Sequence, residues 1–356
     1  MNTLNVVLPL GSSVLSFAFA AMVFDQWWQR RKAFQLVWAI GLLWYGISAG
    51  CEFIGGAFGW SEPLYRAWYL IGAFFVAAYL GAGTIYLLSK TRFGYFAGAT
   101  VLIGGLLSLL FSHATAKGSN VPLYPGSTTA GTVAFAIAAA GGIAIIVATA
   151  FRPRLAAHIA MAVLVIGSIA VAYMTLTAPL AAPGWAVDPA THVPVGTAFP
   201  GYLRVLTGPF NIAGALCLVF GAVYSAYVYM PKRKVLRAKL RTPVVAQLYG
   251  GAAVAVNLVA SAPKAAGALV KGKVNSRVPA TILIALGAFI PGVTSGLNRF
   301  GVTWSFFLGE FLGVLLIFAG FLVSEEVFKN IRLGATLWSR STSETAMATE
   351  AGASGE

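Results

Sequence analysis

The chain reads as an all-α, polytopic membrane protein of about nine transmembrane helices, and three observations predict this. Of its 356 residues, 58% are hydrophobic. Only 10% are charged, against about 25% in soluble domains, which need charge to cover their surface. The apolar residues also fall in runs of about 20, long enough to cross about 30 Å of hydrocarbon as a helix. The 40 glycines agree, because glycine lets membrane helices approach closely.

The first run, about 4–24, begins without Lys or Arg and is followed by Arg30, Arg31 and Lys32. Ala18-Phe19-Ala20 resembles a cleavage site. The charges nevertheless follow the run instead of preceding it, as in a retained helix with its N-terminus outside. Runs at about 34–58, 66–88 and 93–112 come next, with Lys90 and Arg92 between the last two. The run at about 130–151 is Ala/Gly-rich and only moderately apolar, but it has no charge before Arg152 and is counted as spanning. Runs at about 155–178, 207–230, 278–297 and 303–324 complete the set.

Charge then orients the bundle. Of the 24 Lys and Arg residues, only Arg66, Lys117, Arg204 and Arg299 fall on the outer side if the N-terminus is outside and the C-terminus cytoplasmic. That is the positive-inside arrangement of a multi-pass protein of the plasma (cytoplasmic) membrane. The segment from Pro243 to Pro263 is apolar enough to cross. Crossing would carry Lys264, Lys271, Lys273, Arg277 and the basic tail to the wrong face, so it is expected along the inner interface. Just before it, the basic stretch Pro231–Arg241 suits anionic lipid head groups, or serves as an ordinary stop-transfer cluster. The expected organisation is a seven-helix core (1–230), a basic interfacial segment (231–277), a two-helix unit (278–330) and a cytoplasmic tail (331–356). From Ser339 that tail has little to bury and is expected to be disordered. Loops of about 112–129 and 179–206 are long and rich in Pro and Gly, the second carrying Trp185, Asp188 and His192.

Most membrane chemistries need residues that the chain lacks. The net charge of +14 is spread between apolar runs and not clustered on a soluble face, which argues against nucleic acid. His113, His158 and His192 are unpaired and fall at opposite faces, which excludes a zinc-protease motif and a bis-histidine haem. No span carries a lysine for a retinal Schiff base or a pair of aspartates for proteolysis. No metal or cofactor is called for. Cys51 and Cys217 lie in different apolar runs and read as small buried hydrophobes. Gly46-Ile47-Ser48-Ala49-Gly50 matches the G-x-S-x-G nucleophile string but sits inside a helix, where small residues four apart make a packing face. The stretch from Gly309 to Gly313 reads the same way, with a carboxylate, Glu310, at its centre.

Glu52 and Glu310 are the only acidic residues well inside the runs. A charge at membrane depth costs about 2.5–3.5 kcal/mol on insertion scales, so each must face protein or water. Both fall in the outer half of their helices, level with Arg66, Arg299 and Arg204. The candidate ligand-binding set is therefore Glu52, Arg66, Glu310, Arg299 and Asn211, with Asn298, Tyr45, Tyr65 and Tyr69 as further hydrogen-bonding groups. Two roles fit it: structural pairing of helix ends, or an outward-facing site for an ion or small ligand. Pro291, between Gly287 and Gly292, predicts a kink. Trp27, Trp28, Trp60, Trp68 and Trp304 lie at run ends, as interfacial anchors do. A short pattern recurs as Pro63-x-Tyr65-Arg66 before Gly72-Ala73 and Pro200-x-Tyr202-x-Arg204 before Gly214-Ala215, with unequal spacing.

Three functional classes remain: a binding or transport protein with an outward polar pocket, a non-catalytic subunit assembling with other membrane subunits, and a seven-helix sensor module working through a separate partner. The last rests on helix count alone. An intramembrane enzyme is the least supported.

Overall fold

The computed structural model describes residues 3–236, 243–270, 275 and 277–323. Part of the basic segment, the tail and the side chain of Arg299 lie outside the described residues.

Among the described residues, nine helices are long and apolar enough to cross a membrane. They are α1 (Leu4–Arg30), α2 (Ala33–Phe58), α3 (Glu62–Leu87), α4 (Phe93–Ser112), α5 (Thr128–Phe151), α6 (Pro153–Thr177) and α7 (Gly201–Tyr229), then, beyond α8 (Pro243–Val270), α9 (Arg277–Arg299) and α10 (Phe306–Val323). The described residues hold no strand, only the bridges Thr115–Pro122 and Val187–Pro194 in the two long loops. Pro63 and Pro153 start their helices where a missing N–H costs nothing. Within the spans, hydroxyls such as those of Ser12, Thr84 and Thr149 bond the carbonyl one turn back, as apolar surroundings require.

Successive spans reverse direction, so the bundle has two ends. At the upper end α1, α3, α5, α7 and α10 begin, and both long loops lie there. At the lower end α8 packs Leu258 and Ala265 against Ala226, Met230 and Val278, the lower ends of α7 and α9. Asn257 Oδ1 accepts from the backbone of Val235 at 2.7 Å, and Ser261 Oγ from that of Arg233 at 2.8 Å, so the chain leaving α7 folds back along α8.

Three antiparallel hairpins, α1–α2, α4–α5 and α9–α10, make extensive contacts. They surround α3 and α7, which run parallel and touch directly. Small residues permit each close approach. Gly46 faces Phe17, while Ser13 Oγ donates to the Gly46 carbonyl at 2.8 Å, so the G-x-S-x-G string is the surface on which α1 lies. Gly309 and Gly313 receive Thr294 and Pro291. Gly214 sits against the Ala77 backbone and Gly81 against the Gly214 carbonyl. The contacts close two rings that share the α3–α7 seam. One comprises α1, α2, α3, α7, α9 and α10, and the other α3, α4, α5, α6 and α7.

Both seam helices depart from α geometry at matching places. α3 contains a π-helical turn at Ile71–Phe75, and α7 one at Gly208–Ile212. Each begins six residues after the tyrosine of the recurring pattern, Tyr65 and Tyr202. The equivalence between the two helices therefore aligns Tyr65 with Tyr202 and Ala77 with Gly214, which are in contact. The Gly72-Ala73 and Gly214-Ala215 pairing suggested by composition does not hold. Turns of this kind are frequent at functional sites.

Candidate functional site

A cavity of about 380 Å³ opens inside the six-helix ring at its upper end. Its walls come from one face of α3 (Trp68, Tyr69, Gly72), from Asn211 in the π-turn of α7, and from Ser295 and Asn298 on α9. A smaller cavity of about 70 Å³ lies against it toward Tyr45, Leu80 and Pro291. Ser48, Gly72, Asn211, Ser295 and Glu310 line both. Glu310 thus stands at their junction, and α9 stays helical through Pro291 as it passes.

The stretch 179–200 before α7 is the lid: Val187, Asp188 and Val195 line the cavity, and its contacts are specific. Asp188 Oδ1 accepts from the backbone N–H groups of Ala190 (3.0 Å) and Thr191 (2.8 Å) and from the Thr191 hydroxyl (2.8 Å). These bonds, the Thr191 amide first, hold the Asp188 carboxyl below its ordinary range. The lid is tied to three elements. Asn5 Nδ2 donates to the Thr191 carbonyl at 2.6 Å, Asn298 Nδ2 to that of Pro194 at 3.3 Å, and the Tyr65 hydroxyl to that of Val195. Phe199 stacks on Tyr69 at 4.2 Å. Arg204 lines the cavity with its guanidinium 4.8 Å from the Tyr124 ring.

The floor is acidic. Glu52 lies about 9 Å below the upper end of α2, and Glu310 about 6 Å below that of α10, at a rise of about 1.5 Å per residue. Trp68 Nε1 donates to Glu52 Oε1 at 2.7 Å, and the Tyr45 hydroxyl to the Glu310 backbone carbonyl at 2.7 Å. Glu52 is buried to 1% exposure, and its Oε2 receives no donor. Glu310 is the neighbouring carboxyl, close enough for the charge on one to act on the other. Carboxylates only accept, so a bond between the two forms only when one carries a proton. Two ionised carboxylates side by side repel, and a proton or a cation between them relieves the repulsion.

The five sequence candidates separate. Glu310 and Asn211 line both cavities, and Glu52 is buried as the neighbour of Glu310. Arg66 does not join them: its guanidinium pairs with Glu62 at 2.7 Å and donates to the carbonyls of Thr175 (2.6 Å) and Ala178 (2.8 Å), closing the upper end of α6. Helix level alone had suggested Arg66 as a partner for the acids, but a nearer carboxylate and a helix C-terminus claim it first. Arg299 ends α9, and its side chain lies outside the described residues.

Trp68 is the residue that sequence position misplaced. It stands at a run end like an interfacial anchor, yet it is 7% exposed and belongs to a buried cluster with Tyr65, Tyr69 and Cys51. Trp60 packs on the same cluster. The available signal was the spacing of Tyr65, Trp68, Tyr69 and Gly72, which puts all four on one helix face. Trp28 and Trp304 are exposed, and Trp27 and Trp28 flank the Arg31 guanidinium at 4.6 and 4.3 Å. Cys51 and Cys217 are buried and free. Among the described residues no three His, Cys, Asp or Glu side chains gather as a metal site would require. Comparison of the chain with protein families, with characterised proteins and with solved structures found no match.

Proposed function

We propose that this protein binds a small organic cation in the lidded cavity, as the recognition step of a carrier in the plasma membrane, with the upper end of the bundle facing outward. The observation that carries the reading is Glu310, which lines both cavities, backed by the buried neighbouring Glu52, whose Oε2 receives no donor. An entering cation replaces the proton that otherwise holds the pair together. Trp68, Tyr69 and Phe306 in the walls suit an organic ammonium, whose charge is attracted to ring faces. Asn211 and Ser295 offer neutral polar contacts beside Glu310. Both π-turns border this cavity, through Gly72 on α3 and Asn211 on α7.

The assembly reading draws on glycine-rich faces free to meet other subunits. Gly46, Gly309 and Gly313 are occupied within the chain, which favours the binding reading.

Thermal unfolding of the purified protein with ammonium, methylammonium, tetramethylammonium and sodium chlorides tests the proposal. A ligand at one hundred times its Kd adds about 2.7 kcal/mol of stability. The expected result is stabilisation by an organic ammonium ion that Glu310→Gln and Glu52→Gln abolish and Glu62→Gln leaves intact. Equal stabilisation in Glu310→Gln sinks the reading.

A further inference from the structure

The five-helix ring encloses a second cavity, of about 400 Å³, on the far side of the α3–α7 seam. Its chemistry is the opposite of the first. The lining comes from α3 (Ala78 to Ile85), Val101 of α4, α5, α6 and α7 (Leu206 to Cys217), and the Cys217 thiol is its only side-chain hydrogen-bond donor. That thiol is already paired with the Thr100 hydroxyl at 3.1 Å. Small residues, among them Gly81, Ala134 and Gly167, leave the space, and Pro209 and Phe210 form its back wall.

The cavity is partly open. α5 and α6 are held together where Gly141 meets Val163. Above that contact, lining residues on both helices are exposed: Val133 and Ile137 on α5 and Ala170 on α6. The mouth is therefore a lateral slot between two apolar helices, at the depth of the bilayer's hydrocarbon. An apolar cavity of about 150 Å³ already stays dry and takes up benzene. A much larger one facing lipid sideways offers water no partner, and its neighbours are acyl chains.

We infer that the α5–α6 slot is a binding site for one acyl chain of a bilayer phospholipid, which enters laterally and lies against the seam helices. The chain would back the π-turn of α7, one turn of helix that also presents Asn211 to the polar cavity. The inference is independent of what the carboxyl pair binds.

The test is photolabelling of the intact protein in phosphatidylcholine nanodiscs doped with a phosphatidylcholine bearing a diazirine near one acyl terminus. Adducts are expected on Ile85 and Cys217, which are only 7% and 2% exposed and face the cavity. Ala170→Phe at the mouth and Leu164→Trp within should cut those adducts at least fivefold. Labelling of Ile166, on the outer surface of α6, should stay unchanged. Absence of adducts at both inward residues in the wild type overturns the inference without reference to any variant. So does undiminished labelling in two folded variants, or labelling by a diazirine fatty acid or isoprenoid where the phospholipid gives none.

Discussion

Replacing Gly214 by alanine adds one methyl group at the seam that both cavities share. The new Cβ would lie 2.4 Å from the Ala77 carbonyl carbon and oxygen, where ordinary contact begins at 3.4 Å. The atoms met are backbone, so no rotamer change relieves the clash, and α3 and α7 must separate by about 1 Å. Overpacking of this kind costs about 1–3 kcal/mol, and a rigid backbone neighbour places it toward the upper end. Alanine returns up to about 1 kcal/mol in helix propensity, leaving a net loss of about 2 kcal/mol. Gly292→Ala is the matched control, because nothing lies within 4 Å of its added Cβ and only the propensity gain of up to about 1 kcal/mol remains. The two identical changes should thus differ by about 3 kcal/mol, roughly a hundredfold in the unfolding equilibrium at about 1.4 kcal/mol per tenfold. Equilibrium unfolding by SDS in mixed micelles, followed by tryptophan fluorescence, measures this. Gly214→Ala as stable as Gly292→Ala would refute the seam as the closest helix contact.

Three further outcomes are expected. Trp68→Phe removes the donor to Glu52 and should destabilise by about 1–3 kcal/mol in the same SDS titration, whereas Trp304→Phe, at an exposed site, should be neutral. Reporter fusions after Lys90, Arg154 and Arg241 should report cytoplasm and those after Pro63, Ser119 and Val187 the outside; the reverse pattern would invert the bundle. The lid's Asp188 titrates below its ordinary range because its ionised form accepts the Thr191 amide, so its contribution is complete above that range and is lost as pH falls through the lowered value. Hydrogen exchange at the Ala190 and Thr191 amides should lose protection on acidification in the wild type, and Asp188→Ala should remove that pH dependence.

The spans were legible because a helix that crosses a membrane needs an apolar run of about 20 residues. All nine runs became helices, with ends moved by a few residues where polar ends such as Glu62-Pro63 and Gly201–Arg204 extend the helix beyond the apolar stretch. The two acids were also legible, since Glu52 and Glu310 stand out against apolar neighbours at a cost that demands a partner. The identity of the partner was not. Helix level is read along one axis, whereas the choice between Arg66 and the other glutamate depends on rotation and neighbour order, which hydropathy does not encode. The division into two rings was hidden for the same reason: it depends on which helices meet, as Gly81 meets Gly214 and Gly104 meets Gly208.

Cation binding in the lidded cavity requires the carboxyl pair to exchange its proton for the cation. Proton release on adding saturating tetramethylammonium to weakly buffered protein at neutral pH measures this directly. The wild type should release about one proton per bound cation, because a single proton bridges two acceptor carboxyls, and Glu310→Gln should neither bind nor release. Binding without proton release, with affinity unchanged in Glu310→Gln, would place the cation elsewhere and contradict the account.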